Sequence, residues 1–253
     1  MNELQELLDF ATDAAWQAGR ITLGYFQTGV AVETKSDDTP VTIADKNAEL
    51  KLRDLIKHRY PNDGIIGEEH GEEEGTTGRR WIIDPIDGTK AFVAGVPLYG
   101  TLIGVEIDGV PTIGVVNLPG VNEMTYAAKG LGCWWNGKRC RVSDTDRIED
   151  ALVIVTEQKS FAEYKPGKAD ELIEKARLVR GWGDCYGYVM VATGRADVML
   201  DPVMAVWDCA ALQPILEEAG GTFTDWQGKA GIWGEEAVGT NGVLFDKVMG
   251  LIQ

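Results

Sequence analysis

One stretch, residues 81–89 with the sequence W-I-I-D-P-I-D-G-T, constrains this chain more than any other. Its first three residues form an apolar run typical of a buried strand. The strand should end at Asp84, because Pro85 cannot donate a hydrogen bond within a sheet. Pro85 also stiffens a turn in which Asp84 and Asp87 face one point. Two carboxylates repel each other there, and a hard cation such as Mg²⁺ would remove that repulsion.

The end of the same stretch suits a phosphate group. Gly88 allows the backbone to approach a ligand closely. Thr89 can start a helix whose free amide groups would bind a phosphate. The pattern therefore predicts a metal-dependent phosphoryl-transfer site, and a plain turn followed by a helix cap is the alternative interpretation.

Composition limits the class of protein. The length of 253 residues fits one large domain or two closely packed ones, and 44% hydrophobic with 25% charged residues is ordinary for a globular protein. The net charge of -16 argues against nucleic acid and anionic membranes as partners. The acidic, polar N-terminus lacks the pattern of a signal peptide, and no apolar run approaches the ~20 residues of a membrane span. We therefore expect a cytoplasmic protein with reduced cysteines.

The first part of the chain combines helices with an antiparallel sheet. Apolar spacing predicts an amphipathic helix over residues 3–27, and a second helix starts after Val41 and stops near Pro61. Hairpin turns such as Asn136-Gly137 separate apolar runs farther along. The prediction for residues 1–146 is an α+β half with a loop over 28–40, a short strand from 65, a polar surface loop over 71–75, a short helix from Thr89, and a mostly antiparallel sheet over 81–142.

From residue 147 onward, predicted strands and helices alternate. A compact apolar strand covers residues 152–155, and another strand ends at Asp201. The helices are expected at 168–177, from 188 to 193, and from 206 to the glycines at 220 and 221. Residues 147–253 should therefore form an α/β half whose sheet is covered on both faces.

Three further acidic positions have a structural explanation of their own. Thr42 followed by Asp45 matches a capping box, and paired acids such as Glu68 and Glu69 are usually just solvated. Asp208 fits the N-cap of the helix that follows it, with Trp207 as a hydrophobic staple. An aspartate at a helix start can also present an oxygen to a metal.

Taken together, four motifs resemble the inositol monophosphatase-like superfamily of lithium-sensitive sugar phosphatases. They are K-S-D-D-T-P-V-T-I-A-D at 35–45, G-E-E at 67–69, D-P-I-D-G-T at 84–89, and W-D-C-A-A at 207–211 followed by E-A-G-G at 218–221. The resemblance extends from residue 35 to about residue 228. It implies a layered αβαβα sandwich with the site between the two halves, commonly as a homodimer, and inhibition by lithium.

The resemblance also implies a ligand set and a mechanism. Two or three Mg²⁺ ions would be held by Glu68, Asp84, Asp87 and Asp208 together with the Ile86 carbonyl. A water molecule would be oriented and deprotonated by Thr89 and Asp45, with Glu68 acting through water, and would attack phosphorus in line. The amides of Gly88 and Thr89 would hold the phosphate. No D-x-D-x-T or D-K-T-G motif of an aspartyl-phosphate enzyme is present.

Two stretches of the second half indicate the substrate. G-D-C-Y-G-Y at 183–188 and T-D-W-Q-G at 224–228 resemble the histidinol-phosphate phosphatase branch, which acts in histidine biosynthesis. Histidinol carries an amine and an imidazole, and Asp184 and Asp201 could pair with either cation. Aspartates also bind the hydroxyl groups of inositol, so inositol-1-monophosphatase or a broad-specificity sugar phosphatase stays open. Outside enzymes, the alternative is a catalytically inactive metal-binding regulatory module.

Overall fold

The N-terminal part of the chain forms two helices joined by a short hairpin. The computed structural model describes residues 3–35 and 39–252. Helix α1 spans Glu3–Tyr25, strand β1 (Val32–Thr34) pairs with β2 (Pro40–Thr42), and helix α2 spans Ile43–Arg59. The loop expected over 28–40 is therefore partly wrong, because its two ends pair as strands; residues 36–38 lie outside the described part. Helix α2 begins with the predicted capping box and ends before Pro61.

The first sheet has eight strands and is antiparallel except for one pair. Its order is β10-β9-β8-β7-β6-β5-β3-β4, and only β3 and β5 are parallel. The antiparallel meander predicted from the hairpin turns is confirmed. The bounds are β3 Gly64–Gly67, β4 Gly71–Glu73, β5 Arg79–Asp87, β6 Gly100–Ile107, β7 Val110–Leu118, β8 Glu123–Ala128, β9 Gly132–Trp135 and β10 Lys138–Arg139, with helix α3 at Thr89–Val93.

Two local predictions in this sheet are wrong. The polar run at 71–75 contains strand β4, because its backbone pairs with β3 at the sheet edge although its side chains are exposed. Strand β5 does not end at Asp84 but continues through Pro85. A β-bulge makes this possible: Asp84 pairs with Leu102 and Asp87 with Gly100, and the register shifts between them. The bulge allows Pro85 to occupy the strand without a regular ladder bond.

The second sheet has five strands with helices on both faces. Its order is β12-β11-β13-β15-β14, parallel from β12 to β13 and antiparallel from β13 to β14. The bounds are β11 Leu152–Val155, β12 Leu178–Arg180, β13 Val198–Asp201, β14 Thr222–Thr224 and β15 Ala237–Thr240. The helices are α4 Gln158–Tyr164, α5 Asp170–Lys175, α6 Asp184–Ala192, α7 Val206–Glu218 and α8 Phe245–Ile252, preceded by a 3₁₀ turn at Ile148–Asp150.

Three buried clusters define five layers. One joins α1 and α2 to the first sheet, a second joins the opposite face of that sheet to α6, α7 and the second sheet, and a third joins the second sheet to α5 and α8. The αβαβα sandwich expected from the sequence is therefore confirmed. Helix α7 packs against strands of both sheets, and the division into halves 1–146 and 147–253 stays a prediction. Among the described residues, no helix is long and apolar enough to cross a membrane.

Helix α7 lies unusually close to the first sheet. A Cβ atom on Gly114 of β7 would be 2.0 Å from the Ala211 carbonyl oxygen, and one on Gly104 of β6 would be 2.5 Å from the Ala210 Cβ. The helix backbone therefore rests on the two strands where they carry no side chain. This contact brings the first turn of α7, with Asp208, beside the end of β5.

Candidate active site

A cavity of about 480 Å³ lies where both halves of the chain meet. The end of β5, the start of α3 and the first turns of α6 and α7 all border it. Nine of the ten predicted site residues line it: Glu68, Asp84, Ile86, Asp87, Gly88, Thr89, Asp184, Asp201 and Asp208. The tenth, Asp45, lies behind Thr89. A larger cavity of about 720 Å³ between α4, α5 and β12 contains none of the ten.

Three aspartates form the centre of the cavity. Asp84, Asp87 and Asp208 each place one carboxylate oxygen within 4.8 Å of the others. Each also accepts a backbone hydrogen bond, from the amides of Ile86 (2.9 Å), Cys185 (2.5 Å) and Ala205 (2.7 Å) respectively. Backbone donors therefore fix the three carboxylates and leave oxygens free to face one another.

The helix that carries Asp208 starts at Val206 as predicted, but its N-cap is a different residue. Its N-cap is Ala205, and Asp208 is the third helical residue, where its carboxylate reaches back to the cap amide. The prediction that Asp208 itself is the N-cap is wrong. The reason is that the capping-box position also satisfies a free amide at the helix start, and Asp208 still belongs to the aspartate cluster from there.

The aspartate cluster is electrostatically unfavourable without a cation. Burial, followed by repulsion from neighbouring acids, raises the pKa of Asp84 and of Asp87 well above the usual range, and burial raises the pKa of Asp208 to about 6. A divalent cation would offset this cost, and carboxylate oxygens are the ligands that hard cations prefer. The donor set therefore fits a metal site.

Glu68 borders the cluster but forms an ion pair with a lysine. Lys35 Nζ lies 2.7 Å from Glu68 Oε1 and 2.7 Å from Glu69 Oε1. Burial raises the pKa of Glu68 to about 7, although Lys35 acts in the opposite direction. The tight cluster thus contains three of the four predicted metal carboxylates, with Glu68 as their neighbour. The ion pair to Lys35 was not predicted, since 33 residues separate the two in sequence.

Thr89 connects the cavity with the buried Asp45. The Thr89 hydroxyl lies 2.9 Å from the Ile86 carbonyl oxygen and 3.3 Å from Asp45 Oδ1. The other oxygen of Asp45 accepts hydrogen bonds from the Thr42 amide and hydroxyl. Asp45 can therefore complete the capping box of α2 through one oxygen and contact Thr89 through the other. Burial raises the pKa of Asp45, which favours its accepting a proton.

Helix α3 starts at Thr89, as predicted. Its N-cap is Gly88, with φ of 82°. A Cβ atom at position 88 would lie 3.0 Å from Asp184 Oδ2. Glycine is therefore required for both the left-handed backbone conformation and the close approach of Asp184.

Asp184 and Asp201 bring two further carboxylates from the second half. Asp184 is the first residue of α6 and has φ of 53°. Burial raises its pKa to about 6, and the charges of Lys90 and Glu157 act on it in opposite directions. Asp201 ends β13 and accepts a hydrogen bond of 2.8 Å from the Thr156 hydroxyl. Burial raises its pKa well above the usual range as well.

Sequence reasoning missed several residues that line the cavity. They are Lys90, Thr156, Glu157 and Ser160, together with Pro202, Val203 and Met204. The sequence offered a signal for Lys90 alone, because Lys90 directly follows the predicted site residue Thr89. The others come from the start of α4 and the turn after β13, and only the tertiary structure brings them to the site.

Comparison with known proteins agrees with this geometry. The family model described as the inositol monophosphatase family matches residues 3–251, and the chain belongs to that family. Similar proteins include histidinol-phosphatases of Chlorobaculum parvum, 45% identical over 94% of this chain and 93% of the relative, and of Mycobacterium tuberculosis, 38% identical over 94% and 93%. A solved inositol monophosphatase of Thermotoga maritima superposes with a TM-score of 0.90, at 30% identity, over 98% of this chain and 96% of that one.

The family and these relatives define the class of enzyme. The chain is a phosphatase, a phosphoric monoester hydrolase of a metal-dependent family. Its acidic cluster lies where the family's D-P-x-D-G-T and W-D motifs meet in space.

Proposed function

We propose that the chain is an Mg²⁺-dependent histidinol-phosphate phosphatase of histidine biosynthesis. The observation that carries the proposal is the acidic lining of the cavity. Its carboxylates are Glu68, Asp84, Asp87, Glu157, Asp184, Asp201 and Asp208. Bound metal ions would neutralise four of these carboxylates, namely Glu68, Asp84, Asp87 and Asp208. Glu157, Asp184 and Asp201 are left over, and they suit a substrate whose far end is a cation.

Similarity supports the same substrate. The histidinol-phosphatase of Chlorobaculum parvum is 45% identical to the chain, whereas the inositol monophosphatase of Mesembryanthemum crystallinum is 37% identical. Inositol phosphate, or a broad range of sugar phosphates, is the second candidate, because the fold is shared and aspartates also bind hydroxyl groups.

The residues would divide the work of hydrolysis between them. Asp84, Asp87 and Asp208, with Glu68 and the Ile86 carbonyl, would hold two or three Mg²⁺ ions. When bound, the metal supplies a lowered pKa for water and neutralises phosphate charge. The Thr89 hydroxyl would orient the attacking water and accept a proton from it. The hydroxyl would in turn donate its own proton to Asp45 Oδ1, 3.3 Å away. The amides of Gly88 and Thr89 would bind the phosphate oxygens.

A substrate panel tests the proposal. Phosphate release would be measured with Mg²⁺ from histidinol phosphate, inositol 1-phosphate, fructose 1,6-bisphosphate and a 3'-phosphonucleotide. A preference of about 100-fold for histidinol phosphate, worth about 2.7 kcal/mol in the transition state, would support it. A preference for inositol phosphate would overturn the proposed substrate, while the proposed metal-dependent hydrolysis would stand. Mg²⁺ binding without hydrolysis of any ester would instead indicate an inactive regulatory module.

Three associated properties remain predictions with their own measurements. Lithium at millimolar concentration should inhibit by replacing one Mg²⁺, and insensitivity would argue against a third metal. A homodimer should appear in light scattering. The expected cytoplasmic location can be checked by cell fractionation.

A further inference from the structure

An ion pair spans the mouth of the cavity. Lys90 belongs to α3 in the first half, and Glu157 directly precedes α4 in the second. Lys90 Nζ lies 3.0 Å from Glu157 Oε2, and the Ser160 hydroxyl donates to the same oxygen at 3.2 Å. Both residues line the same cavity as Asp184. The contact therefore fixes the position of a carboxylate at the entrance.

This ion pair is too exposed to matter greatly for folding. The side chains of Lys90 and Glu157 are 71% and 44% exposed, and such pairs contribute little to stability. The pair can therefore be changed without loss of the fold.

The arrangement leaves one carboxylate oxygen available. Lys90 and Ser160 both contact Oε2 of Glu157, and within residues 3–35 and 39–252 the Oε1 atom has no hydrogen-bond partner. Lys90 is the one cationic side chain that lines the cavity in that part of the chain. Its ammonium is directed to Glu157 and not to the aspartate cluster.

We propose that Glu157 is a specificity-determining residue and Lys90 its positioning residue. The free oxygen of Glu157, together with Asp184, would receive the ammonium or imidazolium end of a substrate whose other end is a phosphate monoester. This inference rests on the proposed function and deepens it. Lys90 and Ser160 would hold Glu157 in place on the lining of the cavity that also contains the aspartate cluster.

The competing role for Lys90 is direct binding of the phosphate. In that case, loss of Lys90 would weaken the binding of every phosphate ester, whatever group the ester carries at its other end. In the proposed role, loss of Lys90 acts through Glu157 and selectively weakens the binding of substrates that carry a cationic group. The two roles thus predict different results for a neutral substrate.

The test uses four variants, Glu157→Gln, Lys90→Gln, Lys90→Arg and the double change of Glu157→Gln with Lys90→Gln. Each is assayed with histidinol phosphate and inositol 1-phosphate at saturating Mg²⁺. Glu171→Gln is the matched control, because Glu171 forms an exposed ion pair of 2.6 Å with Lys175 on α5, outside the cavity. Circular dichroism and thermal unfolding check that each variant is folded.

We expect Glu157→Gln to lower kcat/KM for histidinol phosphate about 10-fold, mainly through a higher KM, and to leave inositol 1-phosphate within about 2-fold. Lys90→Gln should act in the same direction, Lys90→Arg should retain most activity, and the double variant should resemble Glu157→Gln alone. Higher ionic strength should weaken histidinol phosphate binding in the wild type more than in Glu157→Gln.

Three results would overturn the inference. They are equal losses for both substrates, additive effects in the double variant, or no change relative to Glu171→Gln. Failure of the proposed function is separate, because it would appear in the wild type as a lack of preference for histidinol phosphate.

Discussion

The backbone amide of Cys185 donates a hydrogen bond of 2.5 Å to Asp87 Oδ2. This contact joins the end of β5 to the first turn of α6, so that the two halves of the chain meet at a carboxylate of the aspartate cluster. One oxygen of Asp87 is held by the backbone, and the other can face Asp84 and Asp208. The geometry of the cluster therefore depends on how the halves pack.

Replacing Asp87 by asparagine should abolish activity without unfolding the protein. The amide is isosteric, and its oxygen can still accept the hydrogen bond from Cys185, but it carries no charge for a metal. We expect phosphate release to fall by more than about 100-fold and Mg²⁺ affinity to fall in calorimetry. Asp54→Asn, on the exposed surface of α2, is the control. Turnover near that of the wild type would contradict a metal role for Asp87.

Loss of the Thr89 hydroxyl should slow the chemical step. In Thr89→Ala no group remains between the cavity and Asp45 Oδ1, and we expect kcat to fall by about 100-fold. Thr89→Ser keeps the hydroxyl and should retain most of the rate. Steady-state kinetics at saturating Mg²⁺ distinguishes the two variants, and equal rates in both would show that the hydroxyl is not required.

The metal-free protein should lose stability as pH rises. The pKa of Glu68 is about 7 and that of Asp208 about 6 in the folded protein, against about 4 in the unfolded chain. Between these values the folded state binds more protons, so these groups lower the free energy of unfolding as pH increases. Saturating Mg²⁺ favours the ionised forms and should weaken this dependence.

Urea unfolding at about pH 5 and about pH 8, with Mg²⁺ or with a chelator, measures this effect. Asp208→Asn should flatten the dependence in the metal-free protein, because it removes one titrating carboxylate. An identical dependence with and without Mg²⁺ would refute the link between these carboxylates and the metal.

Asp184→Asn should discriminate between substrates. Asparagine tolerates the left-handed backbone conformation at φ of 53°, so the start of α6 should be preserved. The loss of charge should lower kcat/KM for histidinol phosphate by about 10-fold and kcat/KM for inositol 1-phosphate much less. Measurement of kcat/KM for both esters tests this, and equal effects would argue that Asp184 does not bind the cationic end.

Much of the fold followed from local patterns. The spacing of small and apolar residues in α1, the capping box at Thr42 and the hairpin turn at Asn136 are signals that neighbouring residues carry themselves, and the structure confirms each of them. The layered sandwich followed from the family resemblance and from the change of pattern near residue 147.

Other features depend on partners that are distant in sequence. Strand β5 passes through Pro85 because pairing with β6 stabilises a bulge, and a local rule cannot include that partner. The Lys90–Glu157 contact joins residues 67 apart and depends on how α3 and α4 approach each other. The predicted site residues gather in one place, but the neighbours that orient them required the structure.

The two glycines beneath α7 have a genetic consequence. Gly104 and Gly114 do not line the cavity, yet any side chain there would collide with α7, the helix that carries Asp208. Alleles that inactivate the enzyme can therefore arise in the middle of a buried sheet, at positions that touch neither substrate nor metal. Such alleles would appear as mutations of the active site when judged by phenotype, and as neutral exchanges of small residues when judged by chemical similarity.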